Sequence, residues 1–138
     1  MVGQKNQEKN ASADNKSNPK AIKSILAVDD TEFFLNTLKT ILQDTPYRLT
    51  CITSGRVALN FLQKNRPDLF ILDIDMPEMN GYELARKIRE CGHQAPIIFL
   101  TGSSTRDSVE KALEVGAADF IIKQIRKMQI LDRINKFI

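Results

Sequence analysis

Short apolar runs alternate along this chain with longer stretches in which apolar residues recur every third or fourth position. The run Ile22–Val28 reads as a strand and ends at Asp29-Asp30. From Glu32 to Gln43, Phe34, Leu35, Leu38, Ile41 and Leu42 fall on one helical face, with Asp30 or Thr31 available as a cap. Pro46 breaks the chain, and Tyr47–Thr53 predicts a second strand. Ser54 can cap a helix over Gly55–Lys64 that turns Val57, Ala58, Phe61 and Leu62 inward. Pro67 closes that connection, and Leu69–Leu72 predicts a buried strand delivering Asp73 to the loop that runs to Asn80-Gly81. Tyr82–Cys91 is helical, with Leu84, Ala85 and Ile88 on one face and Gly92 as its stop. After Pro96 the run Ile97–Leu100 ends at Thr101-Gly102. A helix over Ser104–Val115 stops at Gly116, Asp119–Ile122 is a short strand ending at Lys123, and the last helix starts near Arg126 with Met128, Leu131, Ile134 and Phe137 as its apolar stripe.

This is strand then helix, repeated along the chain. Such alternation predicts an α/β protein: a doubly wound, five-stranded parallel sheet with right-handed crossovers and strand order 2-1-3-4-5. Residues 1–21 stand apart. Rich in Asn, Lys, Ser and Gln, they cannot bury enough surface to offset their ordering entropy, so they are expected to form a disordered tail before a single domain over 22–138.

In a parallel sheet every strand finishes on the same edge, so residues distant in sequence converge there. Asp29 and Asp30 end the first strand, Asp73 the third, Thr101 the fourth and Lys123 the fifth. An Asp after a strand is often no more than a helix cap, and a Thr or Lys at a strand end is unremarkable alone. The joint occurrence is informative. Carboxylates crowded together repel one another unless a cation joins them, and hard oxygen ligands suit Mg²⁺. A carboxylate can also act as a nucleophile and form an acyl phosphate. A transferring phosphoryl group spreads charge over its oxygens, and the Thr101 hydroxyl, the Lys123 ammonium and a metal ion would clamp it. Gly102 leaves room beside Thr101.

The 138 residues suffice for one core, and no apolar run approaches the roughly 18 residues of a membrane span. The N-terminus lacks the apolar core of a signal peptide, so a cytoplasmic protein is expected. Cys51 and Cys91 form neither a disulfide framework nor a zinc pattern. The net charge of +3 hides an asymmetry: residues 1–21 carry +2 and residues 123–138 carry +4, leaving −3 on the body between them. Without interleaved aromatics or a recognition-helix pattern, the basic ends give nucleic-acid binding little support. His93 lies in a polar connection and is expected to be solvent-exposed rather than a phosphodonor.

Ala27-Val28-Asp29-Asp30, Leu72-Asp73-Ile74-Asp75-Met76-Pro77 with Asn80-Gly81, Leu100-Thr101-Gly102, Gly116-Ala117-Ala118-Asp119-Phe120 and Lys123 appear in an order and spacing that resembles the receiver domains of two-component response regulators. The likeness extends over Ile22–Ile138; the stand-alone, chemotaxis-regulator-like kind is expected, with a piece of a larger regulator as the other reading. The resemblance implies a flavodoxin-like fold and a signalling switch rather than an enzyme acting on a separate substrate. It implies that Asp73 accepts a phosphoryl group from a sensor histidine kinase or phosphotransfer protein. Asp30, Asp73 and the backbone carbonyl of Asp75 would hold Mg²⁺, with Asp29 assisting. Thr101, Gly102 and Lys123 would bind the phosphoryl oxygens, and Thr101 with Phe120 would form the switch; core packing alone is the other reading of Phe120. Output would pass through the fourth helix, fifth strand and fifth helix, to an unidentified protein or to a second copy.

One departure from the family pattern is Gln124, where Pro usually follows the Lys. A cis bond before a non-Pro residue costs about 2.5–4 kcal/mol, so a trans Lys123–Gln124 peptide is expected, with Lys123 aimed less firmly. Gln124 also keeps open a receiver-like adaptor that no longer uses phosphate. Asp75 is the second point, a charge at the rim whose effect on the attacking water has no predictable sign. Asp73-Ile74-Asp75 resembles haloacid-dehalogenase-type phosphatases as well, but those carry the motif after their first strand and want Thr or Val at the position of Pro77.

Overall fold

The structure is a computed structural model and describes residues 21–102 and 106–138. All but the last residue of the tail expected at residues 1–21, and the first residues of the helix expected from Ser104, lie outside the described residues. Elements follow the expected alternation: β1 Ser24–Val28, α1 Glu32–Leu42, β2 Arg48–Ile52, α2 Gly55–Phe61, β3 Leu69–Asp73, α3 Gly81–Glu90, β4 Ile97–Thr101, α4 Arg106–Glu114, β5 Asp119–Ile122 and α5 Lys127–Phe137. All neighbouring strands are parallel, in the order β2-β1-β3-β4-β5.

Strand alternation divides the core between the two faces of the sheet. Leu26, Val28, Phe70, Leu72, Ile97 and Phe99 face α2 and α3 through Ala58, Leu62, Leu84 and Ile88, with Ala112 of α4 joining them. Ile25, Ala27, Leu69, Ile71, Ile98, Leu100 and Ile121 face α1 and α5 through Leu35, Leu38, Ile41, Ile130 and Ile134. Covered on both sides, β3 and β4 are buried along their whole length, which is why they read as continuous apolar runs.

Several expectations need correction. Val57 is exposed, because α2 turns the face carrying Ala58 and Leu62 onto the core, with Phe61 half-buried beside them. Met128 is exposed too. Helix α5 turns Ile130 and Ile134, one turn apart, onto the sheet, so Ile130 belongs to the buried stripe. Thr31 is the N-cap of α1 but its side chain makes no capping bond; the Asp29 carboxylate accepts from the Thr31 N–H instead, at 2.9 Å.

His93 is buried, contrary to the expectation of an exposed residue. The reason is the helix stop before it. Gly92 adopts φ +92°, and the His93 N–H donates to the Ile88 carbonyl, a Schellman closure that folds the residue after the glycine back onto the helix. The imidazole then meets Phe70 edge-on, with centroids 6.1 Å apart. Burial, followed by the positive charge of Arg66, holds the His93 pKa below its ordinary value, although a hydrogen bond to the Leu62 backbone acts the other way. A lowered imidazole pKa means that the unfolded chain takes the proton first. His93 therefore contributes fully above its unfolded pKa near 6.5, and that contribution is lost as pH falls through the lower folded value. Urea titrations are expected to show wild type losing more stability than His93→Gln between pH 7.5 and 5. Parallel pH profiles for the two proteins would contradict this.

Candidate functional site

The register sets the site. Val28 pairs with Leu72, Asp73 with Leu100, and Thr101 with Ile122, so the carboxyl ends of β1, β3, β4 and β5 finish level with one another. Asp29 follows β1, is 2% exposed, and is anchored by its N–H to the Ile52 carbonyl. Asp30 beside it is exposed. Asp73 is the last residue of β3 and Thr101 the last of β4, and both are buried. The Lys123 N–H donates to the Thr101 carbonyl at 2.7 Å, which ties the turn after β5 to β4. The Lys123–Gln124 peptide is trans, as expected. The aim of the side chain is nevertheless definite: the Lys123 ammonium lies 2.9 Å from Asp29 Oδ2 and 3.1 Å from Asp73 Oδ1.

The loop after β3 is built to hold the end of that strand. The Asp75 N–H points at Asp73 Oδ1 over a long 3.4 Å, while Asp75 itself is exposed. Met79 N–H donates to the Pro77 carbonyl across Glu78, whose φ of +68° is a strained setting for a residue with a side chain. Asn80 and Glu83 then form a reciprocal capping box that starts α3. Gly81 N–H donates to the Ile74 carbonyl at 2.8 Å, bringing the start of α3 onto the backbone of Asp73.

Electrostatics at this edge are severe. Burial, reinforced by the Asp29 charge, raises the Asp73 pKa from 3.8 to about 7, against the downward pull of Lys123 and of the Asp75 N–H. Burial would lower the Lys123 pKa, but its bonds to the Asp29 and Asp73 carboxylates outweigh that and raise it. Asp29 Oδ2 is buried without an aligned hydrogen-bond donor, and the Lys123 ammonium is its compensation. One oxygen from each of Asp29, Asp30 and Asp73 lies within 4.8 Å of the others. An acidic cluster with a raised carboxylate pKa and a poorly satisfied buried oxygen suits a hard divalent cation.

The remaining expected site residues lie around this edge. Gly102 is exposed, and among the described residues a Cβ there would meet nothing within 4 Å. Phe120, half-buried on β5, pairs in register with Phe99 and packs against the α2–α3 side of the core. One neighbour was not anticipated. The Phe34 ring of α1 sits under the Lys123 ammonium, 4.1 Å from it. In the sequence Phe34 is simply one apolar position of an amphipathic helix, and nothing there sets it apart from Leu35 or Leu38.

The fold and this edge together define a doubly wound α/β protein with an acidic, lysine-crossed pocket at the carboxyl ends of its strands. Residues 25–135 match the family described as the response regulator receiver domain, and the chain belongs to that family, the receivers of two-component systems. It is 34% identical over 111 residues to the response regulator protein TodT of Pseudomonas putida, an alignment covering 80% of this chain and 49% of TodT. To the chemotaxis protein CheY of Thermotoga maritima it is 33% identical over 115 residues, covering 83% of this chain and 96% of that one. Among solved structures, chemotaxis protein CheY4 of Vibrio cholerae superposes with a TM-score of 0.81 at 29% identity, covering 86% of this chain and all of CheY4. The chain thus spans about half the length of TodT and nearly all of CheY. No helix among the described residues is long and apolar enough to cross a membrane.

Proposed function

We infer that this protein is a phosphorylation-controlled switch in which Asp73 accepts a phosphoryl group from the phosphohistidine of a sensor kinase or phosphotransfer protein. The observation that carries this reading is the Lys123 ammonium lying between the buried carboxylates of Asp29 and Asp73. A Asp73 carboxylate oxygen attacks phosphorus, the P–N bond to the donor imidazole breaks, and the imidazole leaves with the electron pair. Asp30, Asp73 and the Asp75 carbonyl would hold Mg²⁺ with Asp29 in support, and the ion would keep Asp73 ionised and offset charge on the phosphoryl oxygens. Lys123 and the Thr101 hydroxyl bind those oxygens, and Gly102 leaves them space. Asp29 keeps Lys123 in place before the transfer and fixes the first turn of α1 through Thr31.

The signal then passes through Thr101 and Phe120 to the face made by α4, β5 and α5. Val109, Leu113, Ile122 and Met128 are exposed apolar residues on those three elements, which supports a docking role. Exposed Arg126, Lys127 and Lys136 favour an acidic partner, with self-association through the same face as the other form of output. The protein works in the cytoplasm and catalyses only its own phosphorylation and dephosphorylation.

Incubation with Mg²⁺ and a small acyl-phosphate donor, followed by intact mass, is expected to add one phosphoryl group to wild type and none to Asp73→Asn. Failure to label wild type under conditions that label other receivers would favour a phosphate-independent adaptor.

A further inference from the structure

Lys123 is held on three sides, and the third is not a carboxylate. Its ammonium has three N–H donors. Asp29 and Asp73 each lie within hydrogen-bonding distance of it. The third neighbour is the face of Phe34, with the nitrogen 4.1 Å from the ring centroid. That ring is placed by the site itself. The Asp29 carboxylate accepts from Thr31 N–H, the Thr31 carbonyl accepts from Phe34 N–H at 3.2 Å, and the first turn of α1 thereby sets the ring. Phe33, largely exposed, meets Phe34 edge-on with centroids 5.5 Å apart.

We propose that Phe34 is a positioning residue for phosphoryl transfer, holding the Lys123 ammonium at the sheet edge through its ring face. A ring face attracts a cation without accepting a conventional hydrogen bond, so it fixes the ammonium while leaving its donors to oxygens. This matters most once Asp73 is phosphorylated. The oxygen that carries the phosphoryl group loses most of its negative charge, and Lys123 must exchange Asp73 for a phosphoryl oxygen. The Asp73 contact is then redirected, whereas Asp29 and the ring are chemically unchanged. The Lys123 backbone is tied to the Thr101 carbonyl, and four rotatable bonds separate it from the ammonium. Phe34 therefore holds the ammonium beside Asp29 before and after transfer, without drawing on the donors that the phosphoryl oxygens need. The alternative is that Phe34 serves only as packing for α1, a role that leucine would fill.

The proposal rests on the function inferred above, and its tests separate the two. In the full chain, without phosphate or metal, the Lys123 side-chain methylene protons are expected to resonate upfield through the ring current of Phe34. They should return to ordinary positions in Phe34→Leu. This readout stands even if Asp73 is never labelled. For the rate of Asp73 labelling by a small acyl phosphate with Mg²⁺, Phe34→Leu is expected to be about threefold to tenfold slower than wild type, and Phe34→Tyr close to wild type. Pentafluorophenylalanine at position 34 keeps the shape but reverses the charge distribution of the face, and should slow labelling as leucine does. It also covers the case in which Phe34→Leu does not fold. In a Lys123→Ala background the leucine substitution should have no further effect. Ordinary Lys123 shifts in wild type, wild-type labelling with the fluorinated ring, or equal slowing with and without Lys123 would each overturn the proposal.

Discussion

Gly81→Ala is expected to destabilise the protein by about 2–4 kcal/mol and to slow Asp73 phosphorylation by up to about a hundredfold. A Cβ at position 81 would lie 2.3 Å from the Asp73 carbonyl oxygen and 2.9 Å from the Ile74 Cα. Both are backbone atoms of the strand end and the loop it enters, so no side chain can swing aside. Ordinary contact begins near 3.4 Å, so α3 or the end of β3 must move by about 1 Å. Helix propensity acts in the opposite direction, favouring Ala by about 1 kcal/mol within a helix. The steric effect is larger, and the sign of the result therefore decides between them. The same displacement carries Asp73 away from Lys123 and from an incoming phosphorus, and a misplacement of about 1 Å is enough for a large loss of rate. Chemical denaturation and the acyl-phosphate labelling rate check the two halves separately. A Gly81→Ala protein as stable as wild type and labelled at the same rate would show that the loop adapts without cost. For the stability half, Gly102→Ala is the natural comparison, since no described residue lies within 4 Å of a Cβ there.

How much of this site could be read from the sequence follows from what each residue depends on. Asp29, Asp30, Asp73, Thr101 and Lys123 were legible because each ends or follows an apolar run, and a parallel sheet collects such ends on one edge whatever the details of packing. The fifth strand, Asp119–Ile122, was read with its observed bounds because Gly116 precedes it and polar residues follow it. The misreadings share a cause. Val57, Met128 and Ile130 are apolar residues on helices whose rotation is set by the sheet beneath, and a shift of one position along a helix turns a side chain by about 100°. His93 was misjudged because its surroundings in sequence are polar, yet Gly92 announces a closure that buries the residue after it. Phe34 could not have been singled out, because a ring that holds an ammonium and one that fills a core have the same place in a periodic pattern. The positive φ of Glu78 was equally hidden, since a glutamate gives no local sign of the conformation that Met79 and Pro77 impose on it.

Asp73→Asn, which abolishes labelling in the proposed mechanism, is also expected to make the protein more stable than wild type at pH 7.5 in the absence of divalent cations. The carboxyl pKa of Asp73 is raised to about 7 in the folded protein against 3.8 as its ordinary value. Between those values the folded protein holds a proton that the unfolded chain has released, so stability falls as pH rises across that window. Above about pH 7 the full penalty is present, on the order of 4 kcal/mol at 1.36 kcal/mol per pH unit. Removing one carboxylate relieves the repulsion from Asp29, and Lys123 retains Asp29 as a partner at 2.9 Å. The attraction of Lys123 is already contained in the raised value, but the Asn amide nitrogen, a donor, replaces an acceptor oxygen beside the ammonium and offsets part of the gain, so a net increase of about 2 kcal/mol, or about 5–10 °C in Tm, is the expected result. Near pH 4.5 the wild-type carboxyl is already protonated in the folded state and resembles the amide, so the two melting temperatures should converge. Saturating Mg²⁺ at pH 7.5 is expected to raise the wild-type Tm and to leave Asp73→Asn nearly unmoved, because the cation answers a repulsion that the variant no longer has. A gap of the same size at both pH values would mean that the gain comes from packing instead. Equal Mg²⁺ stabilisation of the two proteins would place the cation away from Asp73.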